Sequence, residues 1–240
     1  MIDKNLIHDR FAKNLESYNE HAKIQKRMAE RVMSFVKNKS PKTILELGCG
    51  TGFLTKLIKE NLNYEKFTAI DIVEECKSYI NSIDSNIEFI PYDIEEFLKT
   101  ESRAYDLIIS NASLQWVEDF EGVINSLKEH LNSNGELVIS TFGKENFREI
   151  YHILGTTLNY FSIQELQQMF PNAEIVPEIH IMAFENAKEV LRHLQNTGVN
   201  AIEQQQWTKG DLAKFENAYL NICAKRPMLT YNPVYIKIDK

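Results

Sequence analysis

Cysteine is scarce in this 240-residue chain: Cys49, Cys76 and Cys223 are all it has, and none falls in a CxxC spacing. That excludes a disulfide framework and cysteine-based zinc sites, and it reads as reduced thiols in a cytosolic protein with no metal centre. Long apolar runs are missing too; none approaches the roughly 18 to 20 residues of a membrane span. The opening "MIDKNLIHDRF" is charged where a secretory leader carries its apolar stretch. Positive charge is in deficit, 27 Lys and Arg against 34 Asp and Glu. The resulting net charge of −7 argues against generic binding to nucleic acid or an anionic membrane. Low-complexity tracts and internal repeats are also absent. What remains is an ordinary globular composition of a length suited to one large domain.

Glycine is sparse as well, nine residues in all, yet three of them stand within five positions of "TILELGCGTGFL", Thr43 to Leu54. Glycine weakens ordinary strands and helices, so the cluster needs a reason. The surrounding pattern supplies the context. Residues 3–38 read as one helix whose face runs from Phe11 through Leu15, Tyr18, Ala22, Gln25 and Ala29 to Val36 in steps of four and three. Tyr18 and Gln25 are its polar members, either the half-exposed edge of the stripe or part of a surface that covers a ligand. Pro41 ends the helix, and Ile44, Leu45 and Leu47 read as a strand buried on both faces. Four more strands follow, in "KFTAID", "NIEFIPYD", "AYDLIISN" and "GELVISTF", alternating with helical patterns. The last of those helices, "EDFEGVINSLKEHLNSNG", is expected to stop at Gly135. Alternation over 42–142 predicts an α/β fold with a doubly wound, mostly parallel sheet. Beyond Phe142 come a short helix capped by Ser162, an interrupted strand around Pro177, two helices over 186–196 and 208–225, and a closing strand in "MLTYNPVYIKI". The two helices have no slot in a βα repeat and read as a lid.

In an open α/β sheet ligands bind beyond the carboxyl ends of the strands, and the first strand ends at Leu47. Gly48 to Gly52 therefore lies at the binding edge. A lone GxG would be a plain tight turn. The dinucleotide fingerprint GxGxxG wants glycine where Phe53 stands, and the phosphate-loop GK[ST] is missing. The pattern is instead Glu46-x-Gly48-Cys49-Gly50-x-Gly52. It resembles the first motif of the class I S-adenosylmethionine-dependent methyltransferases, which have a Rossmann-like fold. The resemblance implies that Glu46 sits near the cationic amino end of S-adenosyl-L-methionine. It implies that Asp71, ending the second strand, accepts from the ribose hydroxyls. Ile72 would pack on the adenine, Asp93 and the Ile94 N–H would bind its edge, and Asn111 would contact cofactor or substrate. Gln25 on the covering stripe joins the same set. On this reading 1–240 is a single domain: a covering helix over 1–38, a cofactor-binding core over 42–142, and remaining strands and lid over 143–240.

The flanks narrow the family. "DKNLIHDRFAKNLESYNEHAKIQKRMAERV", "SNASLQWV", "LRHLQNTGVNA" and "PMLTYNPVYIKI" are similar to stretches of the malonyl-acyl-carrier-protein O-methyltransferases of biotin synthesis. The resemblance implies methylation of the free carboxylate of a malonyl thioester on acyl carrier protein, in the cytoplasm. A carboxylate is already ionised at neutral pH, so no catalytic base is expected. An orienting donor is expected: Arg10 or Arg192 for its planar fork, and Tyr18 for its place on the stripe. Gln115 and Trp116 would wall the acceptor pocket, and His193 reads as a packing or surface histidine. An acidic carrier would need a basic face, for which Lys144 with Arg148, Lys188 with Arg192, and Lys225 with Arg226 are candidates, each equally an ordinary solvated helix face. A methyltransferase of a free small acid, a dinucleotide oxidoreductase and a non-catalytic cofactor-binding or interaction protein are the alternatives that the residues leave open.

Overall fold

Two helices open the chain, α1 (Lys4–His21) and α2 (Lys23–Phe35), in place of the single expected helix. The stripe runs through both, with Leu15, Ala22, Gln25, Ala29, Val32 and Val36 buried. The backbone breaks at Ala22, whose ψ of 47° leaves the helical range. Neither proline nor glycine marks the break. The Lys26 ammonium donates to the Asn19 carbonyl at 2.7 Å, satisfying an acceptor at the end of α1.

This computed structural model describes residues 3–155, 157–197, 208–223 and 226–240. After α2 come β1 (Thr43–Leu47), α3 (Phe53–Asn61), β2 (Lys66–Asp71), α4 (Cys76–Ile83), β3 (Glu88–Pro91), α5 (Ile94–Thr100), β4 (Tyr105–Asn111), α6 (Phe120–Glu129) and β5 (Leu131–Phe142). The chain continues through α7 (Arg148–Leu154), α8 (Ile163–Met169), β6 (Glu174–Pro177), β7 (His180–Ala183), α9 (Ala187–Asn196), α10 (Lys209–Ile222), β8 (Met228–Tyr231) and β9 (Pro233–Asp239). The main sheet has the order β3-β2-β1-β4-β5-β9-β6. Its first five strands are parallel, and β9 runs antiparallel between β5 and β6. Ile44, Ala69 and Ile109 pack into one apolar cluster with α2, α3 and α4. Leu45, Leu47 and Ile108 pack into a second with α5, α6 and α8. Both faces of β1 are thus covered, which is why Ile44, Leu45 and Leu47 are apolar on both sides of the strand.

Two sequence expectations are corrected here. The helix expected to reach Gly135 ends at Glu129, and β5 has begun by Leu131. Gly135 serves close approach, because a Cβ on it would lie 2.9 Å from the Asn132 carbonyl and 3.0 Å from that of Tyr105. The expected closing strand is two strands: β8 pairs with β7 in a separate ribbon, and β9 enters the main sheet. Between them Asn232 accepts from Gly143 N–H and donates its side-chain amide to the Glu178 carbonyl, so the chain changes sheets at a fully bonded corner.

β2 lies on one side of β1 and β4 on the other, so the chain reverses its direction of travel across the sheet at β1. The strand ends splay there and leave a crevice. α2 is pinned beside it from below. Glu136 on β5 accepts the N–H groups of Lys37 and Asn38 and pairs with the buried Lys237, whose ammonium also donates to the Phe35 carbonyl.

Candidate active site

The glycine loop lines the crevice, and the reason for each glycine is internal. Gly48, Gly50 and Gly52 have φ of +67°, +52° and +84°, the left-handed region that side chains disfavour. A Cβ on Gly48 would lie 1.9 Å from Ser113 Oγ, and one on Gly52 would lie 2.4 Å from the end of Ile83. On Gly50 it would press 3.3 Å from the ring of Phe11, which α1 lays over the loop. The loop's main-chain donors turn inward. Gly48 and Cys49 N–H both donate to the Ile70 carbonyl, Gly52 N–H to Cys49, and Gly50 N–H to Asp71 Oδ2 at 2.8 Å. Four loop N–H groups are therefore unavailable as a nest for a diphosphate.

Two carboxylates form the floor. Asp71 is 7% exposed, and its other oxygen accepts from Val73 N–H at 3.0 Å. A carboxylate has about four acceptor positions, so two remain for a ligand. Burial raises its pKa against the lowering effect of those N–H groups. Glu46 is 1% exposed and accepts from the Thr55 hydroxyl at 2.7 Å. Burial, with Asp71 adding to it, pushes its carboxyl up to about 8. Neither acid forms an ion pair with a described residue.

One wall is the end of β3 and the start of α5. Asp93 caps α5, accepting from Glu95 and Glu96 N–H, and takes the Lys4 ammonium at 2.8 Å. Ile72 and Ile94, both half-buried, line this side. On the opposite wall Asn111 donates to the Gln25 carbonyl and accepts from Ser140, so both ends of its amide are engaged within the protein. Beyond it Ala112 stands at φ +50°. Its carbonyl accepts from Gln115 Nε2 at 2.7 Å. A carbonyl can only accept, so this bond fixes the amide the other way round and leaves Oε1 buried without a partner. Trp116 lines the cleft beside it.

Helix α1 is the cover. Lys4, Ile7, Phe11 and Tyr18 all line the cleft. Tyr18 sits edge-on to Phe11 and stacks on Phe53, with ring centroids 4.9 and 6.2 Å away. Burial and then the charge of Asp71 raise its phenol, so it stays a donor. Asn19 accepts from the Thr51 hydroxyl at 2.6 Å and ties the end of α1 to the loop. Gln25, 4% exposed, faces the cleft from α2, and its side chain makes no hydrogen bond to a described residue.

A family profile described as "Methyltransferase domain" matches residues 18–204. A malonyl-[acyl-carrier protein] O-methyltransferase from Calditerrivibrio nitroreducens is 37% identical over 96% of this chain and 94% of its own length. A protein of that name from Chlorobium luteolum is 34% identical over 100% and 97% of the two chains. This chain belongs to the malonyl-[acyl-carrier protein] O-methyltransferase family. Among solved structures, the YcgJ protein of Bacillus subtilis shares the fold of this methyltransferase with a TM-score of 0.62 at 12% identity, covering 89% of this chain and 98% of that one. A putative methyltransferase from Bacillus halodurans gives 0.63 at 11% identity, covering 88% and 98%.

The cofactor of this methyltransferase is S-adenosylmethionine, and the residues fit it. Two buried acids without a fixed cation suit a ligand bearing an ammonium and a sulfonium. The unpartnered Gln115 Oε1 offers an acceptor to a ligand donor. The inward-turned loop withholds what a dinucleotide diphosphate would require. Of the sequence-predicted cofactor residues, Gln25, Glu46, Gly48, Cys49, Gly50, Asp71, Ile72, Asp93, Ile94 and Asn111 all line the one cleft. Gly52 stands just behind, capping α3.

The expected arginines are not brought there. Arg10 and Arg192 do not line the cleft. Arg10 precedes Phe11 and points off the covering face, while Arg192 is exposed on α9. His193 beside it is packed: it is 8% exposed, bonds the Tyr231 hydroxyl at 2.7 Å, and burial with His21 and Lys23 lowers its pKa to about 4. Thr197 carries the end of α9 into the cleft. Lys144, Lys188 and Arg226 are exposed away from the cleft, Arg148 pairs with Glu145, and Lys225 lies outside the described residues. Lys4, Phe11, Asn19, Thr51 and Phe53 are site residues that sequence reasoning missed. Extending the covering stripe back from Phe11 by four and three would have reached Ile7 and Lys4. Among the described residues there is no group of three His, Cys, Asp or Glu that could hold a metal, and no helix long and apolar enough to cross a membrane.

Proposed function

We propose that this methyltransferase esterifies the free carboxylate of a malonyl group carried on acyl carrier protein, as an early step of biotin synthesis. The carrying observation is that similarity to relatives of that name extends over 94% or more of both chains, well beyond the cofactor core. When bound, S-adenosylmethionine supplies an electrophilic methyl group on sulfonium. The chain's task is to hold and to exclude. The acceptor is ionised without help, so the reaction asks no base of the cleft. The Tyr18 hydroxyl and the Gln25 amide are among the cleft-facing donors that bond no described residue, and they orient the carboxylate. Phe11, Phe53, Trp116 and Phe142 keep the site poor in water, which favours the cancellation of opposite charges.

The cover also carries a local excess of cations in a chain whose net charge is −7. Between residues 10 and 31 stand Arg10, Lys13, Lys23, Lys26, Arg27 and Arg31 against only Glu16, Glu20 and Glu30. An acidic carrier protein approaching this side meets complementary charge. The test is initial-rate methylation of malonyl-carrier protein, malonyl thioesters of small thiols and free malonate at equal concentration. The carrier-bound substrate is expected to be fastest, and the advantage is expected to shrink with added salt. Faster turnover of free malonate would make this a small-acid methyltransferase instead.

A further inference from the structure

Glu46 is the penultimate residue of β1, flanked by Ala69 on β2 and Ile109 on β4. It is 1% exposed, and the cleft is what it faces. One oxygen, Oε2, accepts from Thr55 on α3. The Thr55 main-chain N–H also favours the ionised form, and no other residue among those described donates to the carboxyl group. The titratable groups that bear on it are Asp71 from β2 and Cys49 from the loop. Behind Asp71 lie Tyr18 and His8 from α1 and Cys76 from α4. None of these is a fixed cation, and the nearest charge is a second carboxylate. An ionised carboxylate so enclosed lacks both solvent and counter-ion.

We propose that Glu46 carries a proton in the ligand-free protein and releases it to solvent when the ammonium end of the cofactor takes up position against its carboxyl group. The balance is one neutral carboxyl and one ammonium going to one carboxylate–ammonium pair and one proton in the buffer. The inference rests on the cofactor assignment and adds to it a proton stoichiometry. With a carboxyl near about 8, Glu46 is roughly nine-tenths protonated at pH 7. Affinity is therefore expected to rise nearly tenfold per pH unit between about 6 and 7, to peak near about 8, and to fall again as the ligand's own amine loses its proton. The ammonium is common to S-adenosylmethionine and S-adenosylhomocysteine, so both ligands should show the effect, although only the first carries a sulfonium.

Calorimetry of the ligand-free chain with each of these two ligands, at pH 7 in phosphate and in Tris, reads the proton count from the difference in heat. The expected result is close to one proton released with either ligand, falling to near zero in Glu46→Gln. Thr55→Val removes a donor to the ionised form and should move the rising limb of the affinity profile to higher pH. A wild-type heat independent of buffer, with binding intact, overturns the proposal and leaves the cofactor standing. So does a proton release that survives in Glu46→Gln. If that variant does not fold, the pH dependence of wild-type affinity decides, and a flat profile from 6 to 8 overturns the proposal. Failure of either ligand to bind the wild type would overturn the cofactor assignment itself.

Discussion

Replacing Asp71 by asparagine exchanges one oxygen of a buried carboxylate for an amide nitrogen and keeps its volume. The carboxylate accepts Gly50 N–H at 2.8 Å on one oxygen and Val73 N–H at 3.0 Å on the other. Asparagine has one acceptor, so its amide nitrogen must face a main-chain donor. A hydrogen bond to a charged acceptor contributes about 1.5 to 3 kcal/mol, and leaving its buried donor unpaired costs about the same. Removing a carboxylate whose burial raises its pKa offsets part of this. The net loss should be about 1 to 3 kcal/mol, and at roughly 2 to 4 °C per kcal/mol for a domain of this size the ligand-free Tm should fall by roughly 2 to 12 °C. Scanning calorimetry of the ligand-free variant measures this, and titration with S-adenosylmethionine measures the loss of affinity. If Asp71 only contacted the ribose, ligand-free stability would be untouched. A Tm within one degree or so of wild type would therefore refute the argument that this side chain holds the loop. Unchanged affinity with a lowered Tm would instead remove it from the ligand site.

Gly48→Ala should cost roughly 2 to 5 kcal/mol by urea unfolding, from the left-handed backbone and from overlap with Ser113. Adding Ser113→Gly should restore only the part due to overlap. Lys4→Met removes ion pairs to Asp93 and Glu95, at 2.8 and 2.6 Å, that together contribute about 0.5 to 1 kcal/mol. Hydrogen exchange over residues 3–21 should then quicken by about two- to fivefold, and the difference from wild type should vanish in about 1 M salt. His193 is held below its ordinary pKa of 6.5, at about 4, so the unfolded chain binds the extra proton first as pH falls. Its contribution to stability is present above about 6.5 and lost as pH drops through about 4. A Tm profile of His193→Gln should show a shallower acid limb than wild type.

The parallel core and the strand-end polar residues were legible because their signals are local and periodic. Each apolar run ends where the sheet does, so Asp71, Asp93 and Asn111 had to emerge at one edge. Residues whose placement depends on helix phase were harder. Arg10 and Phe11 are adjacent in sequence but turned about 100° apart, and only Phe11 faces the cleft. Arg192 lies next to the buried His193 and shares none of its burial. The break at Ala22 has no proline or glycine to announce it and is held by a lysine four residues on. Gly135 was misread because a helix stop and a close strand approach both call for glycine. The orientation of Gln115 rests on a bond to Ala112 that no spacing rule encodes.

The position of α1 sets an order of events. Phe11 rests against Gly50, so raising the helix would widen the way to the floor of Glu46 and Asp71. Tyr18, on the same helix, lines the cleft, so on the proposed function the wall for the acceptor carboxylate is complete only with the helix down. One rigid segment cannot admit the first ligand and hold the second at the same moment. Steady-state kinetics are accordingly expected to be ordered, with cofactor bound before acceptor and the methylated product leaving before S-adenosylhomocysteine. Product inhibition checks this: the demethylated cofactor should compete with S-adenosylmethionine and be noncompetitive against the acceptor, and a competitive pattern against both would refute the order.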